Sequence, residues 1–137
     1  MDREAAMAIV APFYDALNLP ATKDTKSLIE SVTTPDWRSF SREGVSKTRS
    51  EFTQQVAGFG KLMPDLKWEI REVVAGDDKI VVRSSASGTP SADFMGVPHA
   101  GKTFEILAID LHTVQGDKLV QVYHVEDWAG AIGQLKA

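Results

Sequence analysis

The sequence predicts a single α+β domain spanning residues 1–137, with a curved, mostly antiparallel sheet packed on three N-terminal helices. Two observations carry this. Apolar residues recur at helical spacing through the first half of the chain, and from Leu66 onward the period changes to that of hairpin strands. Helices first and strands afterwards give segregated layers, without the alternation that builds a parallel sheet with crossover helices. A content of 43% hydrophobic and 25% charged residues in 137 supports one real core and leaves no room for a second.

Ala6, Val10, Phe13 and Leu17 form the stripe of a helix from Arg3 to Asn18, in which Pro12 removes one amide donor. Thr25 can cap a short helix carrying Leu28, Ile29 and Val32, which Pro35 stops before an extended Trp37 to Ser41. Ser50 is the expected cap of a third helix with the stripe Phe52, Val56, Phe59 and Met63, closed by Pro64 and Asp65. Strands follow at Leu66 to Ala75, Lys79 to Gly88, Lys102 to Val114 and Lys118 to Val125, with turns at Gly76-Asp77-Asp78 and Gly116-Asp117. Asp127 can cap a last helical turn.

Composition also narrows function. With 15 Lys+Arg against 19 Asp+Glu and no basic run, the chain lacks the electrostatic footprint of a nucleic-acid binder. Its zero cysteines exclude disulfides, thiolate metal sites and a cysteine nucleophile. The apolar stretch Ala5 to Tyr14 is too short to span a bilayer and follows no basic leader, so no membrane segment is expected. A cytoplasmic location is the working expectation, with secretion left open. Three histidines scattered over a loop and two strands lack zinc-motif spacing, so no metal site is expected.

Polar residues that interrupt apolar stripes are the candidates for chemistry. Alternation places Phe104, Ile106, Ala108, Asp110 and His112 on one face of a strand, and Val120, Val122 and His124 on one face of the next. A two-residue loop at Gly116-Asp117 would set Asp110 opposite Tyr123, whereas a three-residue loop or a bulge would set it opposite His124. The second register is expected, because it gathers the apolar stripes on one face and leaves Glu105, Gln121 and Tyr123 together on the other. His124, with a reference pKa of about 6.5, is then the candidate acid/base, and Asp110 its orienter or an alternative base; the competing reading is a pair of structural hydrogen-bonding residues. Trp37, Phe40, Phe59, Met63, Trp68 and Met95 could line an apolar cup, or belong to ordinary packing. Arg83 could meet a carboxylate such as Asp110, or solvent. His99 belongs to a loop at the expected mouth, and His112 shares the parity of Asp110 nearer the turn.

Met63-Pro64-Asp65-Leu66, Gly76-Asp77-Asp78 with Val81-Val82-Arg83, Gly88-Thr89, Phe94-Met95-Gly96-Val97-Pro98 and Gly101-Lys102 stand in an order that resembles the polyketide cyclase family typified by SnoaL. The likeness continues through Ala108-Ile109-Asp110-Leu111, Val122-Tyr123-His124-Val125-Glu126-Asp127 and Gly133-Gln134-Leu135. It implies the cone-shaped NTF2-like fold, usually a homodimer, with a pocket for an apolar small molecule and no cofactor. It implies a Tyr14 hydroxyl facing that pocket as well, where it could hold a substrate oxygen; the competing reading is a core tyrosine. Two departures stand out. Pro98-His99-Ala100-Gly101 and Pro90 replace the family's usual Pro-Pro-Thr-Gly and histidine, and the family's catalytic aspartate and its neighbouring histidine align with His124 and Asp110, their residue types exchanged. The implied function is cofactor-independent acid/base chemistry beside a carbonyl, cyclisation or isomerisation, with a lyase or hydrolase acting through a base-activated water as the enzymatic runner-up; the alternative is a non-catalytic ligand-binding or dimerisation module of the same fold. Apart from the resemblance, Glu105, Leu107, Ile109, Leu111, Tyr123 and Val125 would form a semi-apolar outer face suited to a homodimer.

Overall fold

The computed structural model describes residues 1–137. Four helices, α1 (Arg3–Leu17), α2 (Thr25–Val32), α3 (Arg49–Leu62) and α4 (Trp128–Lys136), pack with strands β1 (Thr33–Arg42), β2 (Val45–Thr48), β3 (Lys67–Ala75), β4 (Lys79–Gly88), β5 (Phe104–Gln115) and β6 (Lys118–Glu126). The strands form one sheet in the order β2-β1-β6-β5-β4-β3. All pairings are antiparallel except β1 with β6, which is parallel. None of the helices is long and apolar enough to cross a membrane.

Each helix begins where a side chain satisfies its free amides. Asp2 accepts from the Ala5 amide at α1 and Asp127 from the Gly130 amide at α4. At α2 the cap is Asp24, one residue before the expected Thr25. At α3 it is Thr48 rather than Ser50, because Thr48 and Glu51 form a reciprocal capping box that Ser50 has no equivalent partner to build. The last helical turn is in fact a nine-residue helix.

Sheet parity sets which side chains meet. On β5 burial alternates strictly, with Phe104, Ile106, Ala108, Asp110, His112 and Val114 buried and their neighbours mostly exposed. Asp110 pairs with His124, as the expected register requires. The phase comes from a bulge: Thr113 faces Gln121 while Val114 faces Leu119, leaving Val120 unpaired. Leu119 therefore takes the buried place that alternation had assigned to Val120. One residue, Asn18, ties α1 to the sheet edge; its side-chain amide donates to the carbonyls of Tyr14 and Trp68 and its oxygen accepts from the Trp68 amide at 2.8 Å. That clamp fixes the Tyr14 turn of α1 against Trp68 of β3.

Candidate functional site

Between the concave face of the sheet and α1 and α3 lies a pocket of about 230 Å³. Its walls are apolar: Phe13 and Leu17 of α1, Phe52, Val56 and Phe59 of α3, and Leu66, Trp68, Val122 and Trp128. Phe13 and Phe52 stack at 5.4 Å, so the two helices meet through aromatic faces at this wall. Polar groups come from the sheet side, namely Asp110 of β5, His124 and Glu126 of β6, Ser39 and Ser41 of β1 and Lys47 of β2, while Gln55 adds one from α3. Met95 joins the lining from the β4–β5 loop, where Phe94 and Val97 bridge and force Met95 to φ 50° and Gly96 to φ 79°.

Asp110 and His124 sit opposite each other on paired strands, a position that places Cβ atoms about 5 Å apart. They do not hydrogen-bond to each other. Asp110 Oδ2 accepts from the Tyr14 hydroxyl at 2.5 Å, and the same hydroxyl lies 2.8 Å from Nε2 of His112. His124 uses Nδ1 for Glu126 Oε2, at 2.6 Å. The role of orienting His124, expected of Asp110, is thus taken by Glu126. The physical reason is again parity: residues 124 and 126 lie two apart on one strand face, and Asp110 is already engaged from the helix side.

The two groups have opposite surroundings. Burial raises the Asp110 carboxyl to about 7, against a smaller lowering by the Tyr14 hydrogen bond, a raising by Glu126 and a lowering by His124. For His124 the hydrogen bond to Glu126 raises the imidazole, more than burial lowers it, and Lys47 opposes weakly. Burial alone pushes His112 down to about 3, so it is neutral. Burial, followed by the charge of Asp110, lifts the Tyr14 phenol well above its usual range and keeps it protonated.

Of the other expected site residues, Phe59, Trp68 and Met95 line the pocket. Tyr14 lies behind Asp110 rather than on the lining, with its hydroxyl committed to Asp110 and His112. Trp37 is core, packed on Phe13 and Phe52. Phe40 is on the outer face, stacked at 4.6 Å on Tyr123, because Trp37 and Ser39 take the inward parity of β1. Met63 is fully buried at the end of α3. Arg83 points outward and pairs with Glu72 at 3.0 Å, not with Asp110, since Val82 is the β4 residue on Asp110's face. His99 is exposed beside Asp93. His112 is wholly buried under Tyr14.

Glu126, Lys47, Ser39, Ser41 and Gln55 were not foreseen. A signal existed for Glu126 in its i+2 spacing from His124. Lys47 had none, because β2 is only four residues long and carries no apolar alternation. No group of three His, Cys, Asp or Glu side chains is arranged to hold a metal ion.

Comparison with solved structures places this architecture among close shapes. The chain is 21% identical to TsrD from Streptomyces laurentii, with a TM-score of 0.83 over 98% of this chain and 97% of that one. IdmH from Streptomyces antibioticus, a candidate polyketide cyclase, is 22% identical at TM-score 0.83 over 98% and 100%. A SnoaL-like polyketide cyclase from Agrobacterium tumefaciens is 20% identical at TM-score 0.75 over 93% and 94%. At these identities the likeness establishes the fold. Comparison with curated proteins returned no match. The family assignment rests on the sequence itself: residues 8–135 match the SnoaL-like polyketide cyclase family model, and the chain belongs to that family.

Proposed function

We propose that the pocket carries out cofactor-independent acid/base chemistry beside a carbonyl of an apolar small molecule, a cyclisation or isomerisation of the kind its family name describes. One observation carries the reading. Asp110 Oδ1 and His124 Nε2 have no protein partner, and both residues line the same apolar pocket from opposed strand positions. A purely structural pair would be sealed and satisfied by its neighbours; open access supports catalysis over a binding module.

In this reading Asp110, ionised above about pH 7, removes the proton next to the carbonyl. His124, whose protonated form the hydrogen bond to Glu126 favours, donates to the developing enolate oxygen, and the apolar walls exclude water that would compete. Activity then rises through the Asp110 pKa and falls above that of His124. The test is solvent-deuterium incorporation into β-tetralone and related aryl ketones, followed by proton NMR. Asp110→Asn is expected to slow exchange by about 10²-fold or more. Exchange at the wild-type rate in Asp110→Asn, or no exchange by the wild type across the ketones, would leave the binding module as the better description.

The proposal extends to assembly. Leu107, Ile109, Leu111 and Val125 are exposed together on the outer face of β5 and β6, and a second copy of this face would cover them. Light scattering at micromolar concentration should return twice the 15.0 kDa chain mass; the single-chain mass would count against it.

A further inference from the structure

We propose that Tyr14 and His112 are positioning residues for this chemistry: the buried Tyr14 hydroxyl, anchored by His112, pins one oxygen of Asp110 so that only the other meets substrate. This rests on Asp110 acting as the base. Nothing in the proposed reaction touches Tyr14 or His112, yet three polar side chains have been buried in one cluster, with Tyr14 at 2%, Asp110 at 5% and His112 at 0% exposure.

Proton counting fixes the direction of the chain. Tyr14 has one hydroxyl hydrogen and two partners, Asp110 Oδ2 at 2.5 Å and His112 Nε2 at 2.8 Å. A neutral imidazole has one N–H. If Tyr14 donated to Nε2, the His112 hydrogen would sit on Nδ1, which is buried without a partner. The phenol and carboxylate oxygens would then face each other at 2.5 Å with no hydrogen between them unless Asp110 were protonated there. If Nε2–H donates to Tyr14, and Tyr14 donates to Oδ2, every hydrogen is used and only a lone pair on Nδ1 is orphaned. A buried N–H without an acceptor is the rarer and costlier defect, so the second arrangement holds.

The donors therefore run His112 to Tyr14 to Asp110 and end on Oδ2. Oδ1 has no protein partner and belongs to a residue on the pocket wall. When Oδ1 takes a proton, Oδ2 remains an acceptor and the chain needs no rearrangement. Successive donors polarise one another and strengthen the last bond. The titratable groups around Asp110 are Tyr14 of α1, His112 of its own strand, His124 and Glu126 of β6 and Lys47 of β2 across the pocket; β4 presents the uncharged Val82 opposite it.

The experiment titrates Asp110 directly by carbon-13 NMR of carboxyl-labelled aspartates, with Asp110→Asn assigning the resonance, and reads the His112 tautomer from nitrogen-15 shifts. Tyr14→Phe keeps the ring and removes the donor. Its Asp110 midpoint should rise by about one to two pH units, the worth of a hydrogen bond to a charged group, and the acid limb of ketone exchange should move with it. His112→Phe should give a smaller rise. The His112 hydrogen is expected on Nε2. An unmoved midpoint in folded Tyr14→Phe, or a hydrogen on Nδ1, overturns the proposal, and the tautomer in the wild-type protein decides the matter even if Tyr14→Phe does not fold. Failure of the base assignment is read separately, as exchange that survives Asp110→Asn.

Discussion

The molecule holds two carboxyl–imidazole stations a strand apart, and they behave in opposite ways. At one, Asp110 and His112 share the Tyr14 hydroxyl inside the core, and burial drives both toward neutrality, the acid up to about 7 and the imidazole down to about 3. At the other, His124 and Glu126 touch directly on the pocket wall, and the imidazole is raised. The functional groups are the same, a carboxyl and an imidazole. What differs is whether the partner is a charge or a neutral hydroxyl, and how much water is lost in reaching it. A deep station supplies a carboxyl whose proton moves near neutral pH, and a shallow one supplies an imidazole whose charged form is favoured by its partner.

That contrast can be broken from the deep side first. His112 is neutral when folded and ionisable when unfolded, so its depressed pKa contributes stability that is full above about pH 6.5 and lost as pH falls toward 3. The loss amounts to roughly 5 kcal/mol as an upper bound, and His112→Phe should flatten this acid slope in chemical denaturation. Asp110 acts with the reverse pH dependence. Its pKa is raised from 3.8 to about 7, so its stability is complete below about pH 4 and declines as pH rises through 7, by at most roughly 4 kcal/mol. Asp110→Asn should therefore be the more stable protein at pH 8, with the gap closing near pH 4. Equal wild-type and variant stability at pH 8 would mean that water reaches the carboxyl.

The shallow station should respond more gently. Glu126→Gln removes the charge and weakens the hydrogen bond that raises His124, so the imidazole pKa should fall in a proton NMR titration. In the exchange assay the alkaline limb should move down in pH while the acid limb, set by Asp110, holds its place. Movement of both limbs would merge the two stations into one coupled system.

Legibility in the sequence follows the same division between local and distant causes. The β5 stripe and the pairing of Asp110 with His124 were readable, because parity along one hairpin is a local property. The partners of those residues were not. Tyr14 reaches Asp110 from 96 positions away, through the docking of α1 on the sheet, which no spacing rule encodes. Phe40 was misplaced for a related reason: its inward or outward parity depends on the parallel pairing of β1 with β6, whose partners lie about 80 positions apart. Thr48 was local and missed, since its capping box with Glu51 was overshadowed by Ser50. Lys47 and Ser41 come from the region of β1 and β2, where short length and mixed polarity blur the period.

The unpaired Val120 is the one surplus residue of the final hairpin, opposite no rung of its own on β5. Removing it would leave the rungs on either side unchanged, with Val114 still facing Leu119, Thr113 facing Gln121 and Asp110 facing His124, so that His124 and Glu126 keep their side of the sheet. The bulge is therefore a reserve of one position: a single deletion between Gln121 and Tyr123 can be taken up by closing it, with Val120 moving into the ladder and Asp110 still opposite His124. Loop grafting at Gly116 and Asp117, and any comparison of relatives that differ in hairpin length, has to count the bulge together with the loop.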